Sequence, residues 1–275
     1  MLYYDPRLSR DGTISCNSCH GLDQYGVDHQ PVSKGVGGQH GDRNSPTVYN
    51  AAPQMAQFWD GRARDLEDQA TAPILNPVEM AMASDHAVVD ALRTVPAYVE
   101  AFQHAFPGNA DPITFPNVAR AIGAFERGLV TPSRWDDFLR GDKQALTDAE
   151  KAGFLKFVQL GCSKCHEGVL IGGTSFRKLG VYKKFPDASD PGRFKITKNP
   201  DDKMFFKVPT LRNIAMTGPY LHNGSIATLE QTVVTMGRYQ LDKKLKDDDV
   251  ASIVAWLKAL TGTIPAEYIR QPALP

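Results

Sequence analysis

Apolar residues recur at helical spacing in three well-marked stretches of this 275-residue chain. Val118, Ile122, Phe125 and Leu129 repeat along one face and stop before Thr131-Pro132. Thr147-Asp148-Ala149-Glu150 reads as a capping box, with Thr147 as N-cap and Glu150 at the third helical position. Phe154, Phe157 and Val158 follow at helical spacing, and Gly161 stops that helix. Near the end, Val250, Ile253, Val254, Leu257 and Leu260 form a third stripe, with acidic residues 247–249 at its positive end and Gly262 ending it. These stripes predict helical core and nothing more specific. Between them, residues 29–53 are rich in Gly, Asn, Ser and Pro, and residues 181–209 show no regular period. The pattern predicts an all-α protein with long loops.

Composition changes this picture little. Hydrophobic residues at 42% and charged residues at 23% are ordinary for a globular protein. Lys+Arg and Asp+Glu balance at 31 each, which removes the basic excess that a nucleic-acid binder needs. The same balance gives no global field to steer an anionic substrate. No apolar run approaches the roughly 18–20 residues of a membrane span. The opening Met1-Leu2-Tyr3-Tyr4-Asp5-Pro6 lacks the basic and apolar regions of a signal peptide.

The cysteines change it a great deal. All four fall into Cys16-Asn17-Ser18-Cys19-His20 and Cys162-Ser163-Lys164-Cys165-His166, leaving none for a disulfide or a lone nucleophile. A zinc ribbon sets its two C-x-x-C knuckles ~15–20 residues apart, whereas Cys19 and Cys162 are 143 positions apart. A thioredoxin-like site needs a βαβ setting, and no strong strand precedes either motif. Covalent haem attachment explains the spacing. Two thiols three residues apart on a tight helical turn reach the two vinyl groups on one porphyrin edge, and the following His takes the iron. The expectation is therefore two haem c groups, held by Cys16, Cys19 and His20 and by Cys162, Cys165 and His166. Two haem motifs in turn suggest two cytochrome c-like domains, 1–140 and 141–275, with the seam between Thr131 and Thr147. Haem c is attached outside the cytoplasm, so a periplasmic protein whose leader has been removed is expected.

Each iron has a second axial position. A Met sulfur there suits electron transfer, and an open position suits reaction with a small molecule. Seven Met and seven His are available, so composition assigns neither. Met236, in Thr235-Met236-Gly237, is a candidate, although Met more often fills gaps in a core.

Further motifs stand between and around the two haem motifs. They are Arg43-Asn44-Ser45-Pro46-Thr47-Val48-Tyr49-Asn50, Gln57-Phe58-Trp59-Asp60-Gly61-Arg62, and Asn76-Pro77-Val78-Glu79-Met80. Later come Pro209-Thr210-Leu211-Arg212-Asn213 and Gly218-Pro219-Tyr220-Leu221-His222-Asn223-Gly224. With these in this order, the chain resembles the bacterial di-haem cytochrome c peroxidases, a family that includes the MauG-type enzymes, over nearly its whole length.

The resemblance implies a peroxidatic haem on Cys16, Cys19 and His20, and a high-potential electron-transfer haem on Cys162, Cys165 and His166 with Met236 as second iron ligand. A Tyr at Met236 would point to the MauG-type branch. The resemblance also implies Trp59 on the electron route between the haems. It implies a calcium held by Asn44 and the backbone carbonyls of Thr217 and Pro219, an oxygen-only set suited to a hard cation. Glu79 is the implied acid/base, since peroxide heterolysis needs a group that takes a proton from one oxygen and gives it to the other. His222 matches a motif position without an assignable role.

The same resemblance implies hydrogen peroxide as substrate, a small cytochrome c or cupredoxin as donor, and a homodimer. One departure stands out. Many family members carry a His that caps the peroxidatic iron, and Val36 occupies that position here. Either the first haem is open at rest, or His29 or His40 caps it through a shifted loop. A non-catalytic electron carrier with both irons six-coordinate is the alternative from another class.

Overall fold

Thr147 begins its helix as the capping box requires: its hydroxyl accepts from the Glu150 amide at 3.3 Å, and the Glu150 carboxylate accepts from the Thr147 amide at 2.8 Å. Gly161, at φ 97° in the left-handed region, ends the helix. These features belong to a computed structural model that describes residues 1–275. Its helices are α1 (Cys16–Cys19), α2 (Leu66–Leu75), α3 (Asp85–Arg93), α4 (Pro96–Ala105), α5 (Phe115–Glu126), α6 (Arg134–Leu139), α7 (Asp148–Leu160), α8 (Phe194–Thr197), α9 (Leu229–Gln240) and α10 (Asp247–Ala259). The protein is mostly helical rather than all-α. A two-stranded antiparallel sheet pairs β1 (Phe176–Lys178) with β2 (Phe205–Lys207), placing Phe176 opposite Lys207. Strands of three residues are too short to show an alternating pattern, so β2 and α8 were hidden in the stretch 181–209. No helix is long and apolar enough to cross a membrane.

Two main cores form. In one, α7 lies so close to α10 that a Cβ on Gly153 would come within 1.9 Å of the Ser252 carbonyl oxygen. Trp256, fully buried, sits at the centre with Trp135, Phe154 and Phe157 at ring distances of 5.4, 5.2 and 4.7 Å. Val158 does not join this core and is 43% exposed. Phe157 and Leu160 set the buried stripe, and Val158 points about 100° round from Phe157. The other core gathers α2, α3, α4 and α5 over Leu2 and Leu8. A smaller cluster of Tyr3, Tyr4, Leu22, Val48, Tyr49 and Leu129 adjoins α1. The tail after α10 returns to it, with Ile264 and Ile269 packed there and Tyr268 stacked on Phe125 at 5.2 Å.

An internal repeat joins the halves. Pro46-Thr47-Val48-Tyr49-Asn50 and Pro209-Thr210-Leu211-Arg212-Asn213 fold alike. Thr47 Oγ1 donates to the Tyr25 carbonyl at 2.6 Å, and Thr210 Oγ1 to that of Leu170 at 2.7 Å. Asn50 and Asn213 both take left-handed backbones, at φ 57° and 61°. Their side-chain amides donate to the same acceptor, Thr131 Oγ1, at 2.8 and 2.9 Å. Asn213 Oδ1 also accepts from Gly262 N at 2.9 Å. Gly262 therefore has a different role from the helix stop its position suggested. The helix ends at Ala259 with Leu260 as cap, and a Cβ at 262 would come within 2.2 Å of the Thr131 carbonyl oxygen.

Thr131→Val keeps the shape and removes that shared acceptor, leaving two buried amides without it. At roughly 1–3 kcal/mol for each unsatisfied group, Thr131→Val is expected to lose about 3 kcal/mol. A lower midpoint of denaturant unfolding checks it.

Candidate functional site

Each C-x-x-C-H motif lies on one tight helical turn, and each His ring is pinned by its Nδ1. His20 Nδ1 faces the Gly26 carbonyl oxygen at 3.3 Å, and His166 Nδ1 faces that of Ile171 at 3.3 Å. The Pro46 carbonyl also lies against the His20 ring, and the Pro209 carbonyl against His166. The repeat thus uses the same proline carbonyl twice. Holding Nδ1–H on a backbone acceptor leaves Nε2 as a neutral lone pair, the form a metal binds. Burial favours the same neutral form, lowering both imidazoles, with His166 pushed down to about 4. Burial also pushes the Cys16 thiol up to about 12 and those of Cys19 and Cys162 up to about 11, so all three stay protonated. No group of three or more His, Cys, Asp or Glu is placed to hold a metal ion.

Behind His166 opens a cavity of about 570 Å³, within the range of cofactor pockets. Cys162, Cys165 and His166 line one part of it, and Met236 on α9 lines it too. A thiol pair, an imidazole and a thioether facing one apolar space fit a covalently held haem. Trp59, His222 and the segment Asn44–Thr47 also line this cavity. Since Pro46 touches the His20 ring, one short segment separates the two sites.

Around the first site, Tyr3 Oη donates to the His20 carbonyl at 2.8 Å, and Ser15 caps α1. Glu79 lies near enough to Cys19 for its charge to raise that thiol. Asn76 Nδ2 donates to Glu79 Oε1 at 2.7 Å. Burial raises the Glu79 carboxyl above its ordinary range, and the Arg62 charge and the Asn76 bond only partly offset this. The loop carrying Val36 is fastened to the Glu79 turn: Val36 N donates to the Glu79 carbonyl at 2.8 Å, and a Cβ on Gly35 would come within 2.1 Å of the Val78 carbonyl oxygen. Val36 itself is 1% exposed. His29 is exposed, its Nδ1 3.0 Å from the Gly218 carbonyl oxygen, and His40 is exposed across a bridge from Lys34.

Asn44 is a junction. Its amide donates to the His222 carbonyl at 2.8 Å, its carbonyl accepts from Trp59 Nε1 at 2.9 Å, and its Nδ2 donates to the Gln30 carbonyl at 2.9 Å. The Asn44 side-chain oxygen remains available, and Thr217 and Pro219 line the same cavity. His222 is buried, stacked on Phe206 at 4.2 Å and edge-on to Trp59 at 6.4 Å. Burial lowers its imidazole and so favours the neutral ring, although the Asp190 charge opposes this. Next to Asn44, Arg43 bonds both Asp190 oxygens at 2.6 and 2.9 Å and Asp60 at 2.6 Å.

Sequence reasoning missed several residues here. The paired carbonyls of Pro46 and Pro209 carried a legible signal, the repeated Pro-Thr-x-x-Asn. Glu126 carried none. It is 5% exposed beside Cys16, and burial pushes its carboxyl up to about 8, with the Glu67 charge adding to this. The folded chain then keeps a proton that the unfolded chain loses above about 4.5, so stability falls as pH rises between these values. Glu126→Gln is expected to gain about 2–3 kcal/mol near pH 7, with the gain vanishing in acid. Thermal unfolding followed against pH checks it.

The similarities to known proteins agree with this geometry. A model of the family described as di-haem cytochrome c peroxidase matches residues 1–144. The cytochrome c551 peroxidase of Pseudomonas aeruginosa is 47% identical, covering 99% of this chain and 80% of that protein. This chain belongs to the di-haem cytochrome c peroxidase family. The cytochrome c551 peroxidase of Nitrosomonas europaea is likewise 47% identical, over 100% of this chain and 81% of its own. Among solved structures, a MauG-like protein associated with microbial copper homeostasis superposes with a TM-score of 0.90 at 31% identity, covering 98% of this chain and 91% of the other. Membership of a di-haem family implies two haem c groups.

Proposed function

We propose that this chain is a peroxidase that reduces hydrogen peroxide to two waters, using two protons and two electrons delivered singly by a small cytochrome c or cupredoxin. The observation that carries this reading is an asymmetry. The cavity of His166 also receives the Met236 thioether, whereas a half-buried carboxyl, Glu79, lies near Cys19 at the first site. Bound haem supplies the redox-active iron at both places. His20 and His166 hold iron through Nε2, and Met236 completes the second site for electron storage. Glu79 takes a proton from one peroxide oxygen and delivers it to the departing one, which leaves as water. Asn76 fixes the carboxyl through Oε1. Trp59, hydrogen-bonded to Asn44 and lining the second cavity, lies on the electron route. Its rigid setting against His222 and Phe206 supports that role.

The first site is left open at rest in this reading. Val36 cannot ligate iron, and its loop is tied to the Glu79 turn, while His29 is engaged with Gly218 and His40 is exposed. Two haem units, 1–140 and 141–275, meet at the Thr131 hub, and a calcium bound by Asn44, Thr217 and Pro219 sets the geometry between them. A periplasmic homodimer completes the proposal.

Met at position 236 disfavours a MauG-like oxidation of a protein partner. A steady-state assay with peroxide and reduced cytochrome c tests the function. The expected result is peroxide-dependent oxidation of the cytochrome. Absence of turnover with two haems bound per chain, or binding of a single haem, overturns it.

A further inference from the structure

Four cationic side chains line the second cavity, Lys164, Arg177, Lys207 and Lys243, and no Asp or Glu does. Three of them are exposed, so water solvates their charge. Lys207 differs: it is 6% exposed. Its ammonium hydrogen-bonds Gln54 Oε1, which is neutral, and no carboxylate of the chain lies within ion-pairing distance of it. A buried ammonium without an anion is costly, and buried charges are as a rule paired. Burial alone pulls this lysine down to about 8, the direction expected for an ammonium without an anion. The chain thus builds a buried positive site at the wall of a cavity and leaves its counter-ion to something the cavity receives.

Haem brings that counter-ion. Its two propionates project from the porphyrin edge opposite the vinyl groups that the cysteines capture. In the cavity, Lys243 lies by the cysteine edge, close enough to Cys162 for its charge to act on that thiol, and donates to the Leu160 carbonyl at 3.2 Å. Lys207 belongs to another wall, on β2, where its backbone N–H donates to the Trp59 carbonyl at 2.7 Å. Gln54 is held at the same wall: its backbone N–H donates to the Ala51 carbonyl at 3.0 Å, and a Cβ on Gly173 would press on its Cγ at 3.0 Å.

We propose that Lys207, oriented by Gln54, is the buried counter-ion for a propionate carboxylate of the second haem. The inference rests on the reading that His166 and Met236 hold a haem in this cavity. One hydrogen bond, from Lys207 N to the Trp59 carbonyl, ties this carboxylate clamp to the aromatic group between the sites. A cation beside the cofactor favours the reduced iron, which carries one positive charge fewer. A cation paired with the propionate also keeps that carboxylate ionised.

Spectroelectrochemical titration of the holoprotein tests this, comparing wild type with Lys207→Met, Lys207→Gln and Lys207→Arg. In the Met and Gln variants the midpoint potential of the second haem is expected to fall. It should also acquire a pH dependence between about pH 5 and 8 that wild type lacks, because the orphaned propionate now takes up a proton. Lys207→Arg, which keeps the charge, should restore most of the potential. Wild-type haem content and the Met–iron charge-transfer band are read first. If wild type lacks a Met-ligated second haem, the functional reading fails. If wild type has it and the Met and Gln variants titrate as wild type does, the propionate proposal alone is overturned. Should both neutral variants fail to yield holoprotein, resonance Raman of the wild type decides. A propionate-bending mode that shifts on exchange into D2O supports the clamp, and an unshifted mode refutes it.

Discussion

Glu79→Gln lowers kcat/KM for peroxide by about 10²–10⁴, the usual contribution of a positioned acid/base, while both haems remain bound. The glutamine keeps the size of the side chain and its contact with Asn76, so structure and ligation should survive. It removes the group proposed to accept and return the proton. The pH profile separates this from a general loss. Burial raises the Glu79 carboxyl above the ordinary carboxylate range, and Arg62 and Asn76 only partly restrain it. The ionised form is the one that accepts a proton, so the wild-type rate falls as pH drops through that raised value. Measured between about pH 4 and 8, the acid limb should be present in wild type and absent in the variant. A variant that kept full turnover would show that a group other than Glu79 moves the proton.

Arg43→Leu is expected to cost about 3–5 kcal/mol of stability, the range for removing one partner of a buried ion network. The Arg43 side chain is 10% exposed and Asp60 2% exposed. Arg43 is shared by Asp60 and Asp190, and Arg62 also reaches Asp60 at 3.2 Å. For a chain of this size that loss lowers Tm by about 10 °C, readable by calorimetry. Burial pushes the Asp190 carboxyl up, but the Arg43 hydrogen bonds and charge overcome this and hold it below its usual range. Its contribution is therefore present above the ordinary carboxylate pKa and is lost as pH falls through the lowered one. The gap between wild type and variant should narrow in acid. Arg43→Lys recovers only part of the loss, since an ammonium cannot make the forked contact. The network adjoins Asn44 and His222, so the variant should also loosen the setting of Trp59.

Much of the helical framework was legible because it depends on short-range rules. The Thr147–Glu150 box, Gly161 in its left-handed turn and the α10 stripe all form from residues within a few positions of one another. Local rules also misled. Val158 kept helical spacing but faces solvent, because the position of Trp256 decided which side of α7 is buried. Gly262 looked like a helix stop, yet its bare Cα is needed where the Thr131 carbonyl approaches. Strand β2 and its buried lysine gave no pattern to read.

At the site, spacing alone showed two cysteine pairs each followed by a histidine, because covalent attachment to one porphyrin edge is a local demand. Which carbonyl pins each imidazole, and that Met236 shares a cavity with His166 seventy positions before it, depended on tertiary packing. The same is true of Glu79 coming near Cys19, of Asn50 and Asn213 meeting on one threonine hydroxyl, and of a lysine buried without an anion. The sequence by itself determined the local chemistry, since capping, turn geometry and thiol spacing act over a few residues. Tertiary structure alone decided which distant groups lose water together, because burial is a property of the packed chain and not of any segment of it.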